Sequence, residues 1–155
     1  MDERRASSRK QEKSVASEIG GRTTPASGAL WGSTADVRSD IFLVECKTTK
    51  NRYYTLNVKT WEKIKKEAIS DGLRVPVMCI DLNNGRDRYA IIRTEDTGDY
   101  ESSVSSDMAH SVCKSSVRVY GETRIVFEER GTLLYDLHVI PWSDFLEKIV
   151  PQYEF

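Results

Sequence analysis

Four consecutive apolar residues, Ile41-Phe42-Leu43-Val44, run directly into Glu45-Cys46-Lys47, and this junction constrains the chain more than any other stretch. A short apolar run containing β-branched residues reads as a strand. Because it does not alternate with polar residues, it reads as a strand covered on both faces. Side chains on a strand alternate with period two, so Glu45 and Lys47 point the same way. Two charged groups ending a buried strand on one face are costly unless something there uses them. A divalent metal ion with a phosphate beside it would use both. Nine residues before Glu45 stands Asp36, after a segment rich in small residues, which gives the ordered set Asp36, Glu45, Lys47.

Phosphodiester hydrolysis needs a polarised phosphoryl oxygen, a positioned water and relief of charge on the leaving oxygen. Magnesium suits this chemistry, since one or two carboxylates hold it while it keeps several waters. Asp36 and Glu45 are candidates for those carboxylates. The ammonium of Lys47 could stabilise developing charge, or its neutral form could assist the attacking water. Each residue also has a plainer reading. An Asp after a Gly/Ser-rich loop is usually a turn or cap residue, and Glu-x-Lys on a strand is commonly a solvated face. The unalternating strand before the pair weighs against the solvated face, and the set points to a metal-dependent nuclease core.

Charge is distributed to match. Residues 1–70 carry 14 Lys and Arg against 9 Asp and Glu, whereas residues 71–155 carry 9 against 15. The basic half holds the candidate site, so a polyanion is expected on that side with the acidic half turned away. Arg38, Lys50, Arg52, Trp31, Tyr53 and Tyr54 flank the site and could neutralise phosphates or stack on exposed bases. The three cysteines are odd in number and lack a CxxC spacing, which argues against a disulfide framework or zinc site and for a reducing cytosol. No apolar leader and no membrane-length apolar run stands in the sequence, so a cytoplasmic protein without a membrane partner is expected.

A chain of 155 residues fits one domain. Residues 1–9 are expected to fray, with a helix from about Lys10 whose stripe is Val15, Ala16 and Ile19 and which ends at Gly20-Gly21. Arg22–Ala35 reads as a loop able to approach phosphates closely. The strand Ile41–Lys47 follows, then an extended Tyr53–Val58, then a helix over Lys59–Ser70 with Trp61, Ile64, Ala68 and Ile69 inward. Val75–Ile80 and Arg88–Arg93 are strands joined by a hairpin turn at Asn83-Asn84-Gly85. Thr94–Ser116 reads as a long polar loop. Short strands are expected at Val117–Tyr120, Arg124–Glu128 and Leu133–Ile140. Pro141 then opens a helix burying Trp142, Phe145, Leu146 and Ile149. The pattern gives an α/β sheet with helices packed on it.

The string Val44-Glu45-Cys46-Lys47-Thr48-Thr49-Lys50, with Asp36-Val37 upstream and Thr24-Pro25-Ala26-Ser27-Gly28 before it, resembles the PD-(D/E)xK nuclease superfamily. Within that superfamily it is most similar to the archaeal and phage type of Holliday junction resolvase. The similarity covers about residues 9–93, and Ala35 stands where the family has Pro before its Asp. The resemblance implies a restriction-endonuclease-like central mixed β-sheet flanked by helices, here with a C-terminal strand-and-helix extension over about residues 94–155. It implies Asp36, Glu45, the backbone carbonyl of Cys46 and a first-helix Glu as metal ligands, with Lys47 catalytic. Glu12 fits that helix position best and Glu18 competes with it. Lys13, Arg22, Ser27 and Lys50 fall where DNA is contacted. Mg²⁺ is the implied cofactor, with Mn²⁺ as its substitute. The implied activity is that of a homodimeric, structure-selective endonuclease that resolves four-way junctions by paired cuts, in the cytoplasm of a cell or of a phage's host. A restriction- or repair-type nuclease on duplex DNA, or a non-catalytic DNA-binding accessory, stands as the alternative.

Overall fold

A computed structural model describes residues 3–24, 36–101 and 110–154. Helix α1 spans Glu3–Ile19, so it begins well before the expected start at Lys10. Its first two turns are mostly Arg, Ala, Ser and Lys, with no Gly or Pro to stop a helix from extending towards the N-terminus. Gln11, Val15 and Ala16 form its buried face. Gly20, at φ +68°, closes the helix. Gly21 then lies so close to the next strand pair that a Cβ there would meet the Arg38 carbonyl oxygen at 2.6 Å.

Strands β1 (Arg22–Thr23) and β2 (Val37–Arg38) pair antiparallel. The segment expected as a loop therefore begins with a strand, while its residues 25–35, including Ser27 and Trp31, lie outside the described residues. Next come β3 (Phe42–Thr48), β4 (Tyr54–Asn57) and helix α2 (Val58–Ser70). On α2, Trp61, Ile64 and Ala68 are buried as expected, but Ile69 is 51% exposed, lying too far round the helix to reach the sheet. Strands β5 (Val75–Leu82) and β6 (Asp87–Arg93) form a hairpin. Its turn takes left-handed backbone at Asn83, Asn84 and Gly85, which these residues tolerate best.

In the remainder the three expected strands and the helical turns after Pro141 are present, while the expected loop over Thr94–Ser116 carries ordered structure at both ends, its residues 102–109 lying outside the described residues. A single tight turn covers Thr94–Asp96, and β7 (His110–Cys113) forms a strand inside the segment expected to be irregular. Strands β8 (Ser116–Val119), β9 (Thr123–Glu129) and β10 (Thr132–Pro141) follow. Helix α3 (Trp142–Asp144) continues through a wider turn over Phe145–Ile149 and a tight one over Val150–Tyr153. Among the described residues the main sheet has eight strands in the order β1-β2-β3-β5-β6-β10-β9-β7, and β4 pairs with β8 in a separate ribbon. The β3–β5 and β7–β9 pairs are parallel and the others antiparallel, so the sheet is mixed. Because β10 lies against β6, the C-terminal third continues the sheet.

Both faces of the sheet are covered. On one side Phe42, Val44 and Cys46 of β3 pack with Val15 and Ala16 of α1 and with Trp142, Phe145 and Ile149 of the C-terminal turns. Phe42 holds Phe145 and Tyr153 edge-on, each at 5.3 Å between ring centres. On the other side Trp61 and Ile64 of α2, with Leu56 of β4 and Val119 of β8, cover Met78, Ile80, Ile91 and Phe127. Among the described residues no helix is long and apolar enough to cross a membrane.

Candidate active site

Beyond Val44, strand β3 keeps β5 as its neighbour through Thr48 but no longer has β2 beside it. Phe42, Val44 and Cys46 face α1, while Leu43 meets Ala68 of α2. Alternation therefore sends Glu45 and Lys47 to the α2 side. The Lys47 ammonium stands 3.4 Å from Glu45 Oε1. Asp36 is fixed from three directions. Its backbone N–H donates to the Val44 carbonyl at 3.0 Å, and its carbonyl accepts from Thr24 N–H at 2.9 Å. Its side-chain Oδ2 accepts the Cys46 N–H at 2.8 Å. A strand residue's N–H and C=O leave by the same edge, so the Cys46 carbonyl faces the side on which Asp36 lies.

Glu12 of α1 comes to the same place and hydrogen-bonds the Asp36 carboxylate. Two carboxyl groups make that contact when one keeps its proton. Burial and then the Asp36 charge raise the Glu12 pKa, and burial raises that of Asp36. Burial, followed by the Asp36 charge, pushes Glu45 up to about 7 against the pull of Lys47. A fourth carboxylate, Glu67 of α2, adds to the repulsion on both Asp36 and Glu45.

These groups open into a cleft of about 1010 Å³. Ala6, Ser7, Ser8 and Glu12 of α1 form one wall, and Thr48, Thr49, Lys50, Asn51 and Asn84 the other, with Asp36, Glu45, Cys46 and Lys47 between them. The early start of α1 thus matters, since residues expected to fray supply a wall. The second wall is tied together by backbone bonds from Asn83 N–H to the Asn51 carbonyl and from Asn84 N–H to that of Thr49, at 2.8 and 3.1 Å.

The other expected site residues lie elsewhere. Lys13 and Arg22 are exposed and do not line the cleft, while Ser27 lies outside the described residues. Glu18 is held by Ser14 at 3.1 Å, Arg88 at 3.2 Å and the Trp142 indole at 3.3 Å, away from the cleft. Two residues not singled out from the sequence contribute. Gln11 is 2% exposed, and its amide donates to the carbonyls of Lys47 and Cys79 at 2.9 and 3.1 Å, stitching α1 to β3 and β5 beside the site. Its place one turn before Val15, on the same stripe, was the available signal. Glu67 lies on the polar face of α2, where nothing in the sequence sets it apart from the other charged residues of that helix.

The donor set suits a hard cation. Asp36, Glu45, Glu12 and a backbone carbonyl offer only oxygen, the preference of magnesium and manganese. Among the described residues no three carboxylate, imidazole or thiol groups stand gathered as a ready cage. Glu12 and Asp36 are engaged with each other, and Glu45 with Lys47. Magnesium needs only one or two protein carboxylates, and Asp36 with Glu45 can supply them. Compared with protein-family models, with curated proteins and with solved structures, the chain matches none.

Proposed function

We propose that this chain is a metal-dependent DNA endonuclease and that its substrate is branched DNA, the four-way junction. The convergence of Asp36, Glu45, Lys47 and Glu12 at the head of one polar cleft carries the reading. Asp36 and Glu45, with the Cys46 carbonyl and Glu12 beside them, would hold a divalent cation, which would supply positive charge to a phosphoryl oxygen and acidify bound water. Lys47, 3.4 Å from Glu45, is free to swing to a phosphate once that carboxylate is otherwise engaged, and its ammonium then stabilises the charge that develops there. Glu12, in contact with Asp36, is the group able to hold or release a proton beside it. Ser7, Ser8, Asn51 and Asn84 offer hydroxyl and amide donors, and Lys50 a charge, to the strand's backbone.

The choice of junction over continuous duplex comes from the resemblance of residues 9–93, and a homodimer follows from the same source, since two paired sites would cut opposing strands. The decisive experiment digests a synthetic four-way junction and a linear duplex of the same arms with Mg²⁺ and maps every cut. Symmetric paired nicks confined to the junction are expected. Equal rates on both substrates would leave a duplex nuclease in place of a resolvase. Asp36→Asn and Glu45→Gln are expected to lower cleavage by at least about a hundredfold while junction binding persists. Normal cleavage by either variant removes the site assignment.

A further inference from the structure

The ribbon of β4 and β8 carries on its outer face a group of side chains that the cleft does not use. Leu56 and Val119 are fully buried beneath it, so alternation turns Thr55 and Arg118 outward, along with Tyr53 and Tyr120 at the ribbon's end. Tyr54 opposes Val119, which sets Tyr53 against Tyr120 one step further on. Their ring centres are 5.5 Å apart with the planes at 47°. The Arg118 guanidinium lies 4.6 Å from the centre of the Tyr53 ring, and Tyr120 is 53% exposed. Cross-strand aromatic pairs of this kind steady a ribbon. The charge around this pair goes beyond that need. Residues 50–60 and 110–121 hold five Lys and Arg and no Asp or Glu, in a chain with 23 against 24 overall. All five (Lys50, Arg52, Lys59, Lys114 and Arg118) are exposed. Pairing of β8 with β4 thus sets Arg118 of the more acidic half of the chain alongside the basic residues of β4 and its flanks.

The platform starts close to the cleft, because Asn51 lines the cleft and Tyr53 follows it by only two residues, at most about 7 Å of chain. We infer that Tyr53, Tyr120 and Arg118 form a stacking platform for an unpaired nucleobase on the strand whose phosphate enters the cleft. Any base has a π face, so such a platform is tolerant of sequence, while bases inside a continuous duplex are already stacked and unavailable. Arg118 adds a phosphate contact. This rests on the nuclease reading and deepens it, because it names unpaired nucleotides as what distinguishes the substrate.

The test measures fluorescence anisotropy of the full chain, in EDTA, with a labelled single-stranded DNA oligonucleotide and with its blunt duplex. A 2-aminopurine base in the single strand reports stacking directly. The Tyr53→Leu/Tyr120→Leu pair keeps apolar cover on the ribbon but removes the planar rings. It is expected to weaken single-strand binding about tenfold, to abolish 2-aminopurine quenching and to leave duplex binding unchanged. Tyr120→Trp is expected to keep both signals. Arg118→Gln is expected to lower the salt dependence of binding by about one ion. Unchanged single-strand affinity and quenching in the Leu pair would overturn the platform, as would equal losses on single strand and duplex. The two readings fail separately. Tyrosine-independent binding in a protein that cuts DNA removes the platform alone, and tyrosine-dependent binding in a chain that cuts no DNA removes the nuclease alone.

Discussion

Glu45 shows what the site costs the fold. Its side chain is only 14% exposed and its carboxyl is pushed up to about 7, from an ordinary value of 4.5. The folded chain thus holds this proton more tightly than the unfolded chain does. By linkage its contribution is present in full below about pH 4.5 and is lost as pH rises through about 7. The metal-free protein is therefore expected to melt at lower temperature at pH 8 than at pH 5.5. Glu45→Gln cannot ionise, so it should remove part of that slope and raise stability at pH 8 by on the order of 1–3 kcal/mol. Thermal denaturation of both proteins across that range in EDTA checks it, and parallel curves would refute the burial argument for Glu45. Mg²⁺ at pH 8 is expected to restore the wild-type melting temperature while leaving the variant unmoved.

Among the elements, α1 has the most exacting task, because it delivers Glu12 from the far side of the sheet. Two attachments hold it in register. Gln11 donates to the Lys47 and Cys79 carbonyls, and Arg88 joins Asp81 at 2.7 and 3.0 Å while reaching Ser14 and Glu18 on the helix. Gln11→Leu removes the donor that both carbonyls share and is expected to cost about 2 kcal/mol in urea denaturation. Arg88→Met leaves Asp81, 5% exposed, without its cation and should cost more, about 3 kcal/mol. A Gln11→Leu protein as stable as wild type would mean that the helix is held by apolar packing alone. The sequence made part of this legible. Val15, Ala16 and Ile19 marked the helix face, and the unalternating run before Glu45 marked a strand covered on both sides. It did not reveal that Gln11 is buried or that Arg88 reaches across to α1, since both depend on partners 36 to 74 residues away. Nor did it reveal β7, whose polar His110-Ser111 start hides a strand made by pairing with β9.

For the whole molecule, the decisive fact is where β10 lies. Chain order would place it at an edge, but it sits between β6 and β9, and the turns after it put Trp142, Phe145 and Ile149 onto Phe42 and Val44. A sequence reading that treats residues 94–155 as an extension misses this, because nothing local in Leu133–Ile140 says which earlier strand it joins. Ending the chain at Pro141 is expected to abolish cooperative unfolding, since Phe145 alone is a fully buried side chain of the kind whose loss costs about 3–5 kcal/mol. Circular dichroism and limited proteolysis of that truncation check it, and a native-like melt would show that the C-terminal turns are dispensable. The same placement sets an order in time. Asp36, Glu45 and Lys47 emerge from the ribosome early, yet the sheet that positions them stays open along β6 until β10, which begins 85 residues after Lys47, is made. Such long-range pairing is slow and is completed late. A nascent chain would carry Asp36, Glu45 and Lys47 well before the sheet that orients them is closed, so the geometry of the cleft is a late product of folding rather than an early one.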